Sequence, residues 1–126
     1  MFALPLSAPS AFADSAAPWR GTDIGQRMIG NTIVGTAHDL FGAEFMIYFH
    51  PDGIARGAAE KFGWMVIDTG RWDIDGDRIC VRWTKWEGRE RVCRSTVTRA
   101  GEILMVDADG TVTSRQVIRE GNPYGL

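Results

Sequence analysis

From Thr32 onward, apolar and polar residues follow a period of two, the mark of strands half-buried against a core. In Ala43 to His50 the alternation is clean: Phe45, Ile47 and Phe49 share one face, and Glu44, Met46, Tyr48 and His50 the other. Thr32 to Thr36 is short and β-branched, and Ile54 to Ala59 is a strand of mostly small residues. Lys61 to Thr69 is apolar on both faces, Phe62, Trp64 and Val66 against Met65 and Ile67, which predicts a buried or ligand-covered strand. Gly70 to Asp75 follows, with Trp72 and Ile74 inward and Arg71, Asp73 and Asp75 outward. Arg78 to Trp86 and Arg91 to Arg99 flank Glu87-Gly88-Arg89-Glu90 as a long hairpin, and Ile103 to Val106 and Thr111 to Arg119 complete the set. Turn-forming residues separate these runs, at Pro51-Asp52-Gly53, Gly76-Asp77, Ala100-Gly101-Glu102, Asp107-Ala108-Asp109-Gly110 and Gly121-Asn122-Pro123. Only Thr22 to Ile29 reads as helix. Thr22 serves as N-cap, Asp23 sits in the first turn, Ile24, Met28 and Ile29 lie near one face, and Gly30-Asn31 stops it.

About eight strands with regularly spaced turns and no helical crossover predict an all-β fold, a small antiparallel up-and-down barrel or a closely related sandwich. The barrel is preferred, because closing a row of hairpins removes both of its edges. Eight strands enclose a space that side chains just fill or that holds one small ligand. The 126 residues suit one domain, and the division expected is a leader remnant at 1–13, an N-terminal segment with a short helix at 14–31 and the barrel at 32–126. Fourteen Lys+Arg against 16 Asp+Glu give a net charge of −2, which argues against a general nucleic-acid binder. No apolar run approaches the roughly 18 to 20 residues of a membrane-spanning helix.

Met1 to Ala13 carries no charge, and Ala11-Phe12-Ala13 has the small-x-small form that signal peptidases cut, with polar Asp14-Ser15 after it. The basic n-region is missing, so the segment is either the end of an export signal or a disordered arm; export is the reading adopted, and the expected location is periplasmic or secreted. Cys80 and Cys93 are the only two cysteines. An exported chain with two thiols most simply forms one structural disulfide, a free reactive thiol being the alternative. Pairing Cys80 with Cys93 sets Val81 opposite Val92 and Trp83 opposite Glu90, with Trp86-Glu87 at the tip, and places both thiols on one face. A two-residue tip at Glu87-Gly88 would set Cys80 against Ser95 instead.

Asp73-x-Asp75-Gly76-Asp77 and Asp107-x-Asp109-Gly110 look like calcium loops but lack the full ligand set and fall where hairpin turns belong, so no metal or cofactor is expected. His38 and His50 are the histidines; neither they nor Ser95 and Ser114 stand in a nucleophile motif, and an enzyme is not expected. The tryptophans are the candidates for binding. Trp64, Trp72 and Trp83 could line a pocket for an apolar or aromatic ligand, or, Trp72 and Trp83 especially, fill the core. Trp86, at a hairpin tip where burial is least expected, joins Lys85, Arg89 and Arg91 as a contact surface. Between Arg71 and Arg99 eight Lys/Arg face five acids, a local charge of +3 that suits an anionic partner or else a solvated face of cross-strand ion pairs.

Gly70-x-Trp72, Asp75-Gly76-Asp77, Cys80, Trp83, Cys93, the late Asp109-Gly110 turn and Gly121-Asn122-Pro123 together resemble small exported proteobacterial proteins grouped in a family of unknown function. The resemblance runs from Gly30 to Leu126. It implies an eight-stranded periplasmic barrel with one disulfide and brings no activity or catalytic residues. A looser likeness is to bacterial protease-inhibitor barrels and to lipocalin-like (calycin-like) proteins. In those, Gly-x-Trp opens the barrel, whereas Gly70 and Trp72 lie mid-chain here. The function expected is a non-enzymatic exported module that holds a small apolar or aromatic ligand in or at the mouth of the barrel. The alternative is a periplasmic protein-interaction or inhibitor module working through the basic, Trp-bearing hairpin.

Overall fold

The computed structural model describes residues 17–38 and 42–126. The leader reading of residues 1–13 lies outside that range. The described chain forms β1 (Ala17–Pro18), α1 (Gly21–Arg27), β2 (Thr32–Ala37), β3 (Ala43–Phe49), β4 (Ile54–Lys61), β5 (Trp64–Asp75), β6 (Arg78–Trp83), β7 (Arg91–Arg99), β8 (Glu102–Val106) and β9 (Val112–Arg119). Strands β2 to β9 pair antiparallel in chain order, and β9 returns to β2, so the meander closes into an eight-stranded barrel. β7 is long enough to serve two neighbours. Its first half pairs with β6 and its second with β8, while β1 joins it through Ala17 opposite Thr98 and Pro18 opposite Val97.

The expected hairpin register holds: Cys80 lies opposite Cys93 and Val81 opposite Val92, and the two cysteines form the disulfide. Two differences concern the middle of the chain. Lys61 to Thr69 and Gly70 to Asp75 are not two elements; β5 runs unbroken through Gly70, and the turn falls at Phe62-Gly63. Gly70 is in the strand because a Cβ there would lie 2.5 Å from the carbonyl oxygen of Arg82, so only glycine lets β6 approach. Nor is the first part of β5 covered on both faces. β6 pairs with Gly70 to Asp75 and the chain just after it bonds to Asp68 and Thr69, so Trp64 to Ile67 runs on past the barrel wall with β4 as its paired neighbour.

The helix is also displaced from its expected start. Asp23, not Thr22, closes its first turn, its carboxylate accepting the Arg20 N–H at 2.8 Å. α1 closes one end of the barrel, with the Gly21 N–H donating to Asp77 in the β5–β6 turn at 2.8 Å. The N-terminal segment is thus part of the barrel's core. Trp19, Ile24 and Met28 pack with Ile33, Phe49, Ala55, Ile79, Trp83 and Met105 in one cluster, each of the aliphatic side chains larger than alanine contributing about 1.5 to 3 kcal/mol by its burial. At the opposite end lie the Phe62-Gly63 turn, the β6–β7 loop and the β8–β9 turn. That end carries the candidate sites.

Candidate functional site

The β6–β7 loop is held from below by one carboxylate. Asp68 is 3% exposed, and its oxygens accept the Lys85 and Trp86 N–H groups at 2.8 and 2.9 Å, the Thr69 N–H at 2.8 Å and the Thr84 hydroxyl. Burial alone would raise its pKa, but these hydrogen bonds outweigh that effect and hold it below the ordinary aspartate value. Anchored there, the loop turns back on itself through Glu87, Gly88 and Arg89, all at positive φ (53°, 66° and 61°). Two of these are not glycine, so the backbone is strained, and strain of this kind concentrates at working sites. Arg94 secures the loop's far side, with Glu87 at 2.5 Å and Asp107 of the β8–β9 turn at 2.9 Å. Burial works against the Arg94 charge, but the two carboxylates hold its pKa above the ordinary value.

This anchoring corrects the expectation of an outward Trp86. Its ring folds inward and packs on Trp83, with centroids 4.7 Å apart, over Gly57, where a Cβ would lie 2.6 Å from the Trp86 ring. The missing side chain of Gly57 and the pull of Asp68 on the Trp86 N–H together decide the direction. Trp83 is 3% exposed and belongs to the core. Trp72 is half-buried at the helix end, its indole N–H donating to the His50 carbonyl at 2.7 Å. Of the three tryptophans read as ligand-lining, only Trp64 is open to solvent, at 75%.

Trp64 stands in an apolar group. Phe62 is 84% exposed, Met65 61% and Ile67 49%, all on the hairpin that outruns the wall. Phe62 has φ 53° and Gly63 φ 80°, so a phenylalanine occupies a position that Asn or Gly usually takes in a two-residue hairpin turn. Sequence pattern had already singled out these residues, but as a covered strand. What it could not show is that β6 ends its pairing at Gly70.

The basic residues separate into two groups. Arg91 is neutralised: Asp73 meets it at 2.6 Å and Asp75 at 3.3 Å, which raises the arginine pKa and lowers that of Asp73. Arg89 instead lines an open groove of about 460 Å³ with Arg71, Arg82, Ile54, Thr69, Gly70, Trp83 and Thr84. Lys85 is exposed at the start of the loop. Arg71 and Arg82 were visible in the sequence only as part of a charge count; their meeting follows from the β5–β6 register, which sets them directly opposite.

The acidic turns bind within the protein. Asp77 holds Gly21, Asp107 holds Arg94, and Asp109 accepts the Thr111 N–H at 2.9 Å, which lowers its pKa. Among the described residues no cluster of three His, Cys, Asp or Glu side chains is disposed to hold a metal. His50 lies 2.9 Å from Asp52, but both are more than half exposed in the Pro51-Asp52-Gly53 turn. Comparison with family models, with curated proteins and with solved structures returned no match.

Proposed function

We propose that this protein is an exported binding module that takes an apolar or aromatic group at the mouth of its barrel, against the β4–β5 hairpin. The observation that carries the reading is the exposure of Phe62, Trp64, Met65 and Ile67 together, in a chain whose other described tryptophans are buried or half-buried. Scattered surface apolar residues need no explanation, but a projecting hairpin with exposed apolar side chains on both of its faces marks a contact surface. The ligand lies against Trp64 over the mouth. The interior is the weaker place for it, because Phe49 and Trp83 belong to the packed core and Trp86 lies against it. Export is supported by the disulfide, which suits an oxidising compartment, and by the Ala11-Phe12-Ala13 sequence.

The uncharged probe N-phenyl-1-naphthylamine tests the reading. Titration is expected to give a saturable rise in dye fluorescence and a blue shift of tryptophan emission, both lost in Trp64→Ala. A wild-type response that survives in Trp64→Ala, or no saturable binding at all, overturns it.

A further inference from the structure

We infer that the arginine groove beside the β6–β7 loop is a binding site for a small organic oxyanion, a carboxylate or phosphate head carried on an apolar body. The site is separate from the hairpin surface and stands or falls independently of it.

Three observations converge. The first is the direct opposition of like charges. Arg71 on β5 faces Arg82 on β6, and Arg82 in turn faces Arg91 on β7. Like charges set directly opposite on a sheet are destabilising. Arg91 is relieved by Asp73 and Asp75, whereas Arg71, Arg82 and Arg89 have no carboxylate partner among the described residues. Asp73, Asp75 and Glu87, three of the acids of this segment, are committed to Arg91 and Arg94.

The second is the bend of the loop. Glu87 and Arg89 sit at positive φ, and this brings the Arg89 backbone onto Arg82, whose guanidinium donates to the Arg89 carbonyl at 3.2 Å. Strain is thus spent on adding a third cation to a pair that already repel.

The third is the shape and lining of the groove. Its volume of about 460 Å³ falls in the range of small-molecule sites, roughly 300 to 1,000 Å³. Ile54 supplies apolar surface beside the cations, with Thr69 and Thr84 at the side. Guanidinium groups present paired N–H donors that match the two oxygens of a carboxylate or phosphate. The chemistry defined is therefore a charged head clasped by arginines with a hydrocarbon portion on Ile54.

Calorimetric titration with octyl phosphate, octanoate and inorganic phosphate, together with thermal melts in a non-coordinating zwitterionic buffer, tests this inference. One or both of the octyl ligands is expected to bind at a single site, at least tenfold tighter than inorganic phosphate; which of the two binds identifies the head group. Arg71→Gln and Arg82→Gln are expected to weaken that binding at least tenfold. Arg71→Gln removes an exposed repulsion and is expected to keep or raise the melting temperature without ligand, whereas Arg82→Gln also gives up the bond to the Arg89 carbonyl. Absence of binding by both octyl ligands overturns the inference, as does binding no tighter than that of inorganic phosphate, affinity that Arg71→Gln and Arg82→Gln leave unchanged, or a fall in the ligand-free melting temperature of Arg71→Gln that shows this arginine to be structural.

Discussion

Asp68 is the residue on which the hairpin end depends. A carboxylate whose pKa is lower in the folded chain than in the unfolded one, near 3.9, contributes stability that is complete at neutral pH. That contribution is lost as pH falls through the folded value. Asp68→Asn keeps the size and removes the charge, and about 2 kcal/mol of destabilisation is expected at pH 7, the scale of hydrogen bonds to a buried charged acceptor. The difference between the two proteins is expected to shrink towards zero in the acid range, which urea melts at neutral pH and at about pH 2.5 measure. An equal deficit at both would show that the loop needs the side-chain shape and not the charge. The sequence marks Asp68 as a polar residue amid an apolar run and no more. Its partners come from Thr84, Lys85 and Trp86, which lie 16 to 18 positions away and meet it only after β5 and β6 have paired. The same distance hid the inward turn of Trp86, since a tip residue's direction depends on what its backbone is tied to.

At the scale of elements, strands were legible wherever one face met the core and the other met water. β3 and β9 read almost to their ends for that reason, and the disulfide fixed the β6–β7 register. The β4–β5 turn was hidden because Phe62 reads as the first residue of the apolar run that continues through Trp64 to Ile67. The turn is defined by backbone dihedrals. Asparagine takes the left-handed conformation with less penalty than phenylalanine. Phe62→Asn is therefore expected to raise stability by about 1 kcal/mol while it reduces binding of the naphthylamine probe. Denaturant midpoints and dye titration on one preparation check both halves. A variant less stable than the wild type would mean that the Phe62 ring contributes to holding the hairpin.

For the whole molecule, the fold class was within reach of pattern alone, because eight amphipathic strands with short connections have few ways to bury their apolar faces. The closure of one end was not. Trp19 lies in a short segment with no period, yet it is 5% exposed, its indole N–H donates to the Thr98 hydroxyl at 2.8 Å, and the Arg27 guanidinium lies 4.1 Å above its ring. It joins the first strand, the helix and β7 in a single core. Trp19→Ala is expected to cost about 3 to 5 kcal/mol, as large-to-small changes in cores do, in one cooperative transition followed by circular dichroism. Loss of the helix alone, with the strands melting at an unchanged midpoint, would show that the barrel does not need its floor.

The overrun of β5 beyond β6 has a consequence for how these molecules treat one another. Lys61 opposite Trp64 closes the hairpin, so alternate backbone groups of β5 are turned to β4, and those of Met65 and Ile67 are turned away from it. From Trp64 to Ile67 there is no charge and no proline to blunt that border. It is a ready template on which another extended segment can lay down hydrogen bonds. Self-association in concentrated solution is therefore expected to start at these four residues, and a lysine at position 67 is the smallest change that should keep the protein dispersed.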